Sequence, residues 1–222
     1  MAITSNEELI PVRGVRLNGK LEVPKGAVGL VIFAHGSGSS RNSPRNRAVA
    51  AGLQRQGLAT LLFDLLTEEE EQEEARTRHL RFNISLLGAR LVEATRWVAK
   101  QERSAGLKLG YFGSSTGAAA ALMAAADLGE GISAVVSRGG RPDLAADALE
   151  RVVSPVLLIV GADDSPVIPL NEASYQRLRC ERAMRLVAGA SHLFEEPGTL
   201  EMVTALAADW FLDHLRSMGQ AH

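Results

Sequence analysis

Lys108 to Ala126 is the stretch that most limits what this chain can become. Lys108-Leu109-Gly110-Tyr111-Phe112 reads as a short apolar strand. Gly113-Ser114-Ser115-Thr116-Gly117 reads as a tight turn, and Ala118 to Ala126 as a helix with no charge on any face. Such a helix has to be buried, so the strand before it belongs inside a covered sheet. Glycines two residues either side of Ser115 allow a sharp strand-to-helix turn with a strained backbone. The helix start leaves free backbone N–H groups beside the serine hydroxyl. Alone, the five-residue pattern is weak in a chain with 21 glycines. A glycine-bracketed turn between a core strand and a core helix satisfies it equally well. Its chemical reading depends on what the rest of the chain supplies, and in what order.

The rest alternates strand and helix. Ile10 to Leu17 and Lys20 to Val23 read as short strands joined at Asn18-Gly19, a strong hairpin signal. Gly29 to Ala34 is a continuous apolar run, as expected of a strand buried on both faces. It opens into the small-residue loop His35-Gly36-Ser37-Gly38-Ser39-Ser40. Ser43-Pro44 predicts a helix start, with serine as cap and proline at the first helical position; Val49 and Leu53 lie on its apolar face, and Gly57 ends it. Ala59 to Phe63 is the next buried strand. Thr67 caps a helix whose first turn, Glu68 to Glu71, reads as a solvated acidic start with Glu74 and Arg78 spaced to pair. Leu80 to Lys100 keeps helical spacing, with Trp97 in the core and Gly88 a candidate break. After the Ser115 turn come a strand at Ile132–Val136, a short helix at Asp143–Arg151 and a strand at Val152–Val160 ending in Gly161-Ala162-Asp163-Asp164. A polar helix follows at Asn171–Arg182, then a short strand at Met184–Val187, the loop Gly189-Ala190-Ser191-His192, and an amphipathic helix at Thr199–Leu215. This order predicts an α/β protein: a mostly parallel sheet with helices on both faces and no separate cap domain, since the connection after Val136 is short. His35-Gly36, Ser115, Asp163/Asp164 and His192 all fall at strand carboxyl ends, which in such a sheet share one edge.

Composition narrows the function. With 222 residues, 46% of them hydrophobic, the chain suits one packed domain spanning 1–222. A formal net charge of −2 argues against nucleic acid or an anionic membrane surface as partner. The single cysteine, Cys180, lies in a polar stretch and permits no intrachain disulfide. Met1 to Glu8 is polar, and no apolar run reaches membrane-spanning length, so a cytoplasmic protein is expected. There is no Cys/His cluster with zinc spacing, so neither a metal nor a cofactor is expected. The oligomeric state is not legible.

A serine hydroxyl becomes a useful nucleophile when a base takes its proton during attack. Histidine suits the role, and a carboxylate on its far nitrogen fixes the tautomer and stabilises the imidazolium. Ser115, then the Asp163-Asp164 pair, then His192 is the chain order that α/β-hydrolases use. Of the five histidines, His79, His214 and His222 lie away from strand ends. His35 precedes the serine and suits holding its own loop by hydrogen bonding. Spacing alone does not separate Asp163 from Asp164.

With these residues in view, the chain resembles α/β-hydrolases of the dienelactone-hydrolase-like esterase group. The resemblance runs from Ile32-Phe33-Ala34-His35-Gly36 to Gly189-Ala190-Ser191-His192. It implies the Gly-x-x-Asp reading of the loop, which selects Asp164 and leaves Asp163 as a turn or capping residue. It also implies an oxyanion hole formed by the backbone N–H of Thr116 and one from the loop after the third strand: Ser37, with Gly36 and Gly38 as alternatives. Dienelactone hydrolases proper use a cysteine nucleophile. Ser115 stands in its place here and favours ordinary ester hydrolysis. The expectation is a metal-free serine hydrolase acting through an acyl-enzyme on small-molecule esters of small or medium acyl chain. Ser115, Asp164 and His192 would be catalytic. Arg138 and Arg141, on the loop after Val136, are candidates for pairing with loop groups or a substrate carboxylate.

Overall fold

The structure, a computed structural model, describes residues 3–216. One eight-stranded sheet organises them, in the order β1-β2-β4-β3-β5-β6-β7-β8. Its central strands are β3 (Leu30–Ala34), β4 (Ala59–Phe63), β5 (Leu109–Ser114), β6 (Ala134–Arg138) and β7 (Val156–Gly161). Every residue of these five strands is buried, as their continuous apolar runs require. They pair in parallel, as does the last strand, β8 (Arg182–Val187). The hairpin of β1 (Ile3–Val12) and β2 (Val15–Pro24) adds antiparallel strands at the other edge.

The pleat sorts side chains between two helical layers. Ile32, Tyr111, Val135 and Leu158 point toward α3 (Ile84–Val98) and α4 (Thr116–Leu128). Phe33, Phe112, Val136 and Ile159 point toward α1 (Pro44–Arg55) and α6 (Thr199–Leu215). Ala118 to Leu122, Ala124 and Ala125 of α4 are fully buried, and the small alanine side chains let α3 approach closely. No helix among the described residues is long and apolar enough to cross a membrane. The segment between β6 and β7 holds only a kinked 3-10 helix, Pro142–Arg151, so no cap domain stands over the sheet.

Several local expectations need correction. The hairpin is present, but its turn is Arg13-Gly14, five residues earlier than expected. Both residues have positive φ (39° and 80°), as a type I′ turn demands. Asn18 and Gly19 instead lie inside β2, where Gly19 pairs with Glu8 and Phe63. A Cβ on Gly19 would stand 2.7 Å from Ile10 Cδ1, so close packing rather than a turn needs that glycine. Gly88 does not break α3, which runs through it against Met123 of α4.

Thr67 caps α2 (Glu68–Thr77) in a full capping box with Glu70. The acidic run is not simply solvated, however. Glu70 takes both Nη atoms of the buried Arg90, and Glu74 is buried and pairs with Arg81, not Arg78. Arg78 is in the left-handed conformation that closes the helix, which turns it away from the helical i,i+4 position. The helix expected at Asn171–Arg182 is α5, Ile168–Arg177, and it precedes the half-buried Cys180. Burial pushes that thiol's pKa up, consistent with an inert side chain.

Candidate active site

The strand order β3-β5-β6-β7-β8 brings five loops together at the carboxyl edge of the sheet. Ser115 sits between β5 and α4 with φ 51° and ψ −124°, a strained conformation for a residue with a side chain. Its neighbours over-determine that conformation. The Ser115 N–H reaches the Arg138 carbonyl at 3.4 Å, and its own carbonyl accepts from Arg141 N–H at 3.0 Å. A Cβ on Gly117 would lie 2.2 Å from the Ala34 carbonyl oxygen and 2.5 Å from that of His35. No side chain fits there, and α4 can therefore start hard against the end of β3. Gly36 is equally constrained: a Cβ would lie 2.8 Å from that of Ser115. The loop after β3 thus passes directly over the serine. Strain alone is no mark of chemistry. Ala146 has φ 48° and ψ −123° and is exposed in the kinked helix after β6, outside the serine, acid and histidine loops.

Asp164 follows β7 and is 7% exposed; His192 follows β8 with its side chain 38% exposed. His192 Nδ1 and Asp164 Oδ2 are 2.6 Å apart, so the imidazole donates from Nδ1 and its Nε2 is left for another partner. The two loops are also tied through backbone, with Asp163 N–H donating to the Ala190 carbonyl at 3.0 Å. Asp163 itself is exposed. Geometry therefore separates the two carboxylates that spacing left equivalent. His192 packs on Gly139, where a Cβ would stand 3.0 Å from its carbonyl oxygen and 3.7 Å from Nδ1. Ser115 bonds to Arg138, the residue before. The serine and the imidazole thus flank one dipeptide, although no hydrogen bond joins them among the described residues. Catalytic hydrogen bonds are often long in unliganded sites and tighten with substrate.

The loop after β3 is held by His35, which is buried. Leu65 N–H donates to its Nε2 at 2.9 Å, so Nδ1 carries the proton and donates to the Gly36 carbonyl at 3.0 Å. Burial holds the His35 pKa below its usual value, despite the Gly36 hydrogen bond and the charge of Asp64. It is a neutral brace. The Thr116 N–H, the first of α4, has no hydrogen-bond partner among the described residues. The Ser37 N–H is engaged, donating to Thr116 Oγ1 at 3.1 Å, while the two hydroxyls lie 2.9 Å apart. The sequence reading missed this link between the Thr116 side chain and the loop. A threonine after the serine has no spacing signature that would have exposed it.

Arg141 forms a bidentate pair with Asp143 and belongs to its own turn. Arg138 has no such partner. It is 6% exposed, and its side chain lies on the α1 side of the sheet beneath Phe194. Among the described residues no group of three or more His, Cys, Asp or Glu side chains is placed to hold a metal.

Residues 27–209 match the family model of the alpha/beta hydrolase domain. The structure is similar to a crystal structure of dienelactone hydrolase from Anabaena variabilis, with a TM-score of 0.94 and 55% sequence identity over 96% of this chain and 99% of that one. It is also similar to the esterase domain of a Rhodothermus marinus protein (TM-score 0.74, 20% identity, 97% of this chain and 100% of that one), a likeness of fold. Among curated proteins, one from Mycobacterium tuberculosis provisionally named a phosphoribosyl transferase is 54% identical over 215 residues. Those residues are 96% of this chain and 48% of that protein, so the chain spans about half the length of the curated relatives it matches. The sheet order, the serine turn and these matches together place the chain in the α/β-hydrolase superfamily, within its dienelactone-hydrolase-like group.

Proposed function

We propose that the chain is a serine hydrolase that cleaves carboxylic esters through an acyl-enzyme. The observation that carries this reading is the 2.6 Å bond between His192 and the buried Asp164, at the same sheet edge as the strained Ser115. In this reading Asp164 fixes the His192 tautomer, so that Nε2 takes the Ser115 proton as Oγ attacks the ester carbonyl. The same imidazole then returns the proton to the leaving alkoxide, and water repeats the cycle on the acyl-serine. The Thr116 N–H and the Ser37 N–H stabilise the oxyanion. Ser37 exchanges its bond to Thr116 Oγ1 for one to the substrate oxygen.

Fluorophosphonate labelling followed by peptide mass spectrometry tests the nucleophile directly. The expected label is on Ser115, and a label elsewhere, or none, counts against the reading. Ser115→Ala should lower kcat by up to about a millionfold with the fold intact. Across a panel of esters, short and medium acyl chains should be preferred, because no cap domain encloses the site. The Anabaena protein carries the name dienelactone hydrolase. A serine nucleophile argues for simple esters over dienelactones here.

The mycobacterial name raises a second reading, phosphoribosyl transfer. It describes a protein of which this chain matches less than half. Assaying the chain with phosphoribosyl diphosphate and nucleobases separates the two: turnover that survives Ser115→Ala would favour transfer.

A further inference from the structure

Arg90 and Arg138 are the two buried arginines among the described residues. Arg90, 4% exposed, gives both Nη atoms to Glu70. Arg141 has Asp143. Arg138 has no acid. It is 6% exposed and takes part in no ion pair among the described residues. Its Nη2 donates to Asn46 Oδ1 at 3.2 Å, and its Nε is buried with no hydrogen-bond partner. The face of Phe194 lies 5.8 Å from Cζ. Desolvating a cation without a counter-charge is expensive, and an aromatic face offsets only part of that cost.

The surroundings add positive charge. Asn46 is in the first turn of α1, a 12-residue helix capped by Ser43, and the helix directs its positive end there. Arg45 is the preceding residue. Its Nη1 pairs with the exposed Glu195 at 2.7 Å, and its Nε, like that of Arg138, is buried and unpartnered. Burial and the neighbouring Arg45 pull the Arg138 pKa down to about 10. The guanidinium groups of Arg138 and Arg45 and a helix terminus therefore lie near one another, and the one carboxylate paired with them, Glu195, is exposed. The place adjoins the candidate active site, since the Arg138 carbonyl receives the Ser115 N–H and Phe194 is two residues past His192.

We propose that Arg138 and Arg45, at the amino end of α1, form a subsite for the phosphate group of a substrate phosphomonoester. A dianion matches two guanidinium groups and a helix terminus better than a carboxylate does. The proposal rests on the serine-hydrolase reading only for what the phosphate is attached to: an ester whose alcohol or acyl part also carries a phosphate.

Two measurements test it, and they fail separately. Isothermal calorimetry with inorganic phosphate, and with succinate as the carboxylate counterpart, reads the subsite without any turnover. Phosphate should bind wild-type protein and weaken about tenfold or more in Arg138→Met and in Arg45→Gln. Arg45 is on the surface side, so Arg45→Gln keeps the test alive if Arg138→Met does not fold. Phosphate binding that is absent, or unchanged in a folded variant, overturns the proposal. Succinate binding as tightly as phosphate overturns the phosphate assignment. The second measurement compares kcat/KM for the acetate ester of glycerol with that of glycerol 3-phosphate. Wild type should favour the phosphorylated ester, and Arg45→Gln should erase the preference while leaving turnover of the neutral ester unchanged. Equal preference in wild type and Arg45→Gln overturns the substrate role. If phosphate binds as stated but neither ester is cleaved, the hydrolase reading falls and the anion subsite stands.

Discussion

At the scale of single residues, this structure is governed by close approach. Gly117 is the sharpest case, because any side chain there would collide with two main-chain carbonyls that cannot move without pulling β3 from its neighbours. Gly117→Ala should therefore destabilise the fold by about 3 kcal/mol or more, at the top of the range for overpacking, as read from denaturant unfolding midpoints. A variant of wild-type stability would mean that α4 can shift away from β3. The requirement for glycine on either side of the serine was legible in the Gly-x-Ser-x-Gly pattern. The choice between Asp163 and Asp164 was not legible from spacing. Both side chains follow Gly161, and only the fold of the β7 loop buries one against His192 and exposes the other. Arg138 was likewise visible as an arginine on a loop, but its lack of an acid partner is a property of what packs around it.

At the scale of elements, signals that act within a few residues were reliable. Ser43 with Pro44 starts α1, and Thr67 with Glu70 starts α2, as their side chains and N–H groups require. Thr67→Ala removes one half of the capping box. It should cost about 1 kcal/mol, with faster amide exchange confined to the first turn of α2. Global loss of structure would mean that the cap does more than close a helix end. Glu70 couples α2 to α3, because the Arg90 hydrogen bonds hold its carboxyl below the usual range. Asn18-Gly19 shows where a local signal fails. The dipeptide favours a turn, but Gly19 is needed to let Ile10 and Phe63 approach, and Arg13-Gly14 reverses the chain instead. Gly88 fails in the same way, since contact with α4 outweighs its intrinsic weakness in a helix.

At the scale of the whole molecule, the buried His35 ties stability to pH. Its folded-state pKa is held below 6.5, so the unfolded chain binds the proton more readily. The contribution is fully present above about pH 6.5 and is lost as pH falls toward the lowered value. Glu70 follows at lower pH: its folded pKa is also depressed, so its contribution disappears as pH drops below about 4.5. The thermal midpoint should accordingly be flat above about pH 6.5 and decline below it, and His35→Gln should flatten the first part of that decline. A midpoint with the same slope in the variant would remove His35 from the account. The alternation of buried strands and helices, the helix starts, the serine turn and the chain order of serine, acid and histidine were determined by the sequence itself. Each rests on hydrophobic period, capping chemistry or the missing side chain of a glycine, all of which act over a few residues. Which carboxylate meets the imidazole, which glycine turns the hairpin, what Thr116 Oγ1 binds and what surrounds Arg138 were decided only when the sheet assembled. Those outcomes depend on contacts between segments up to about a hundred residues apart, such as Arg138 and Asn46, and their energies exist only once both sides have been withdrawn from water.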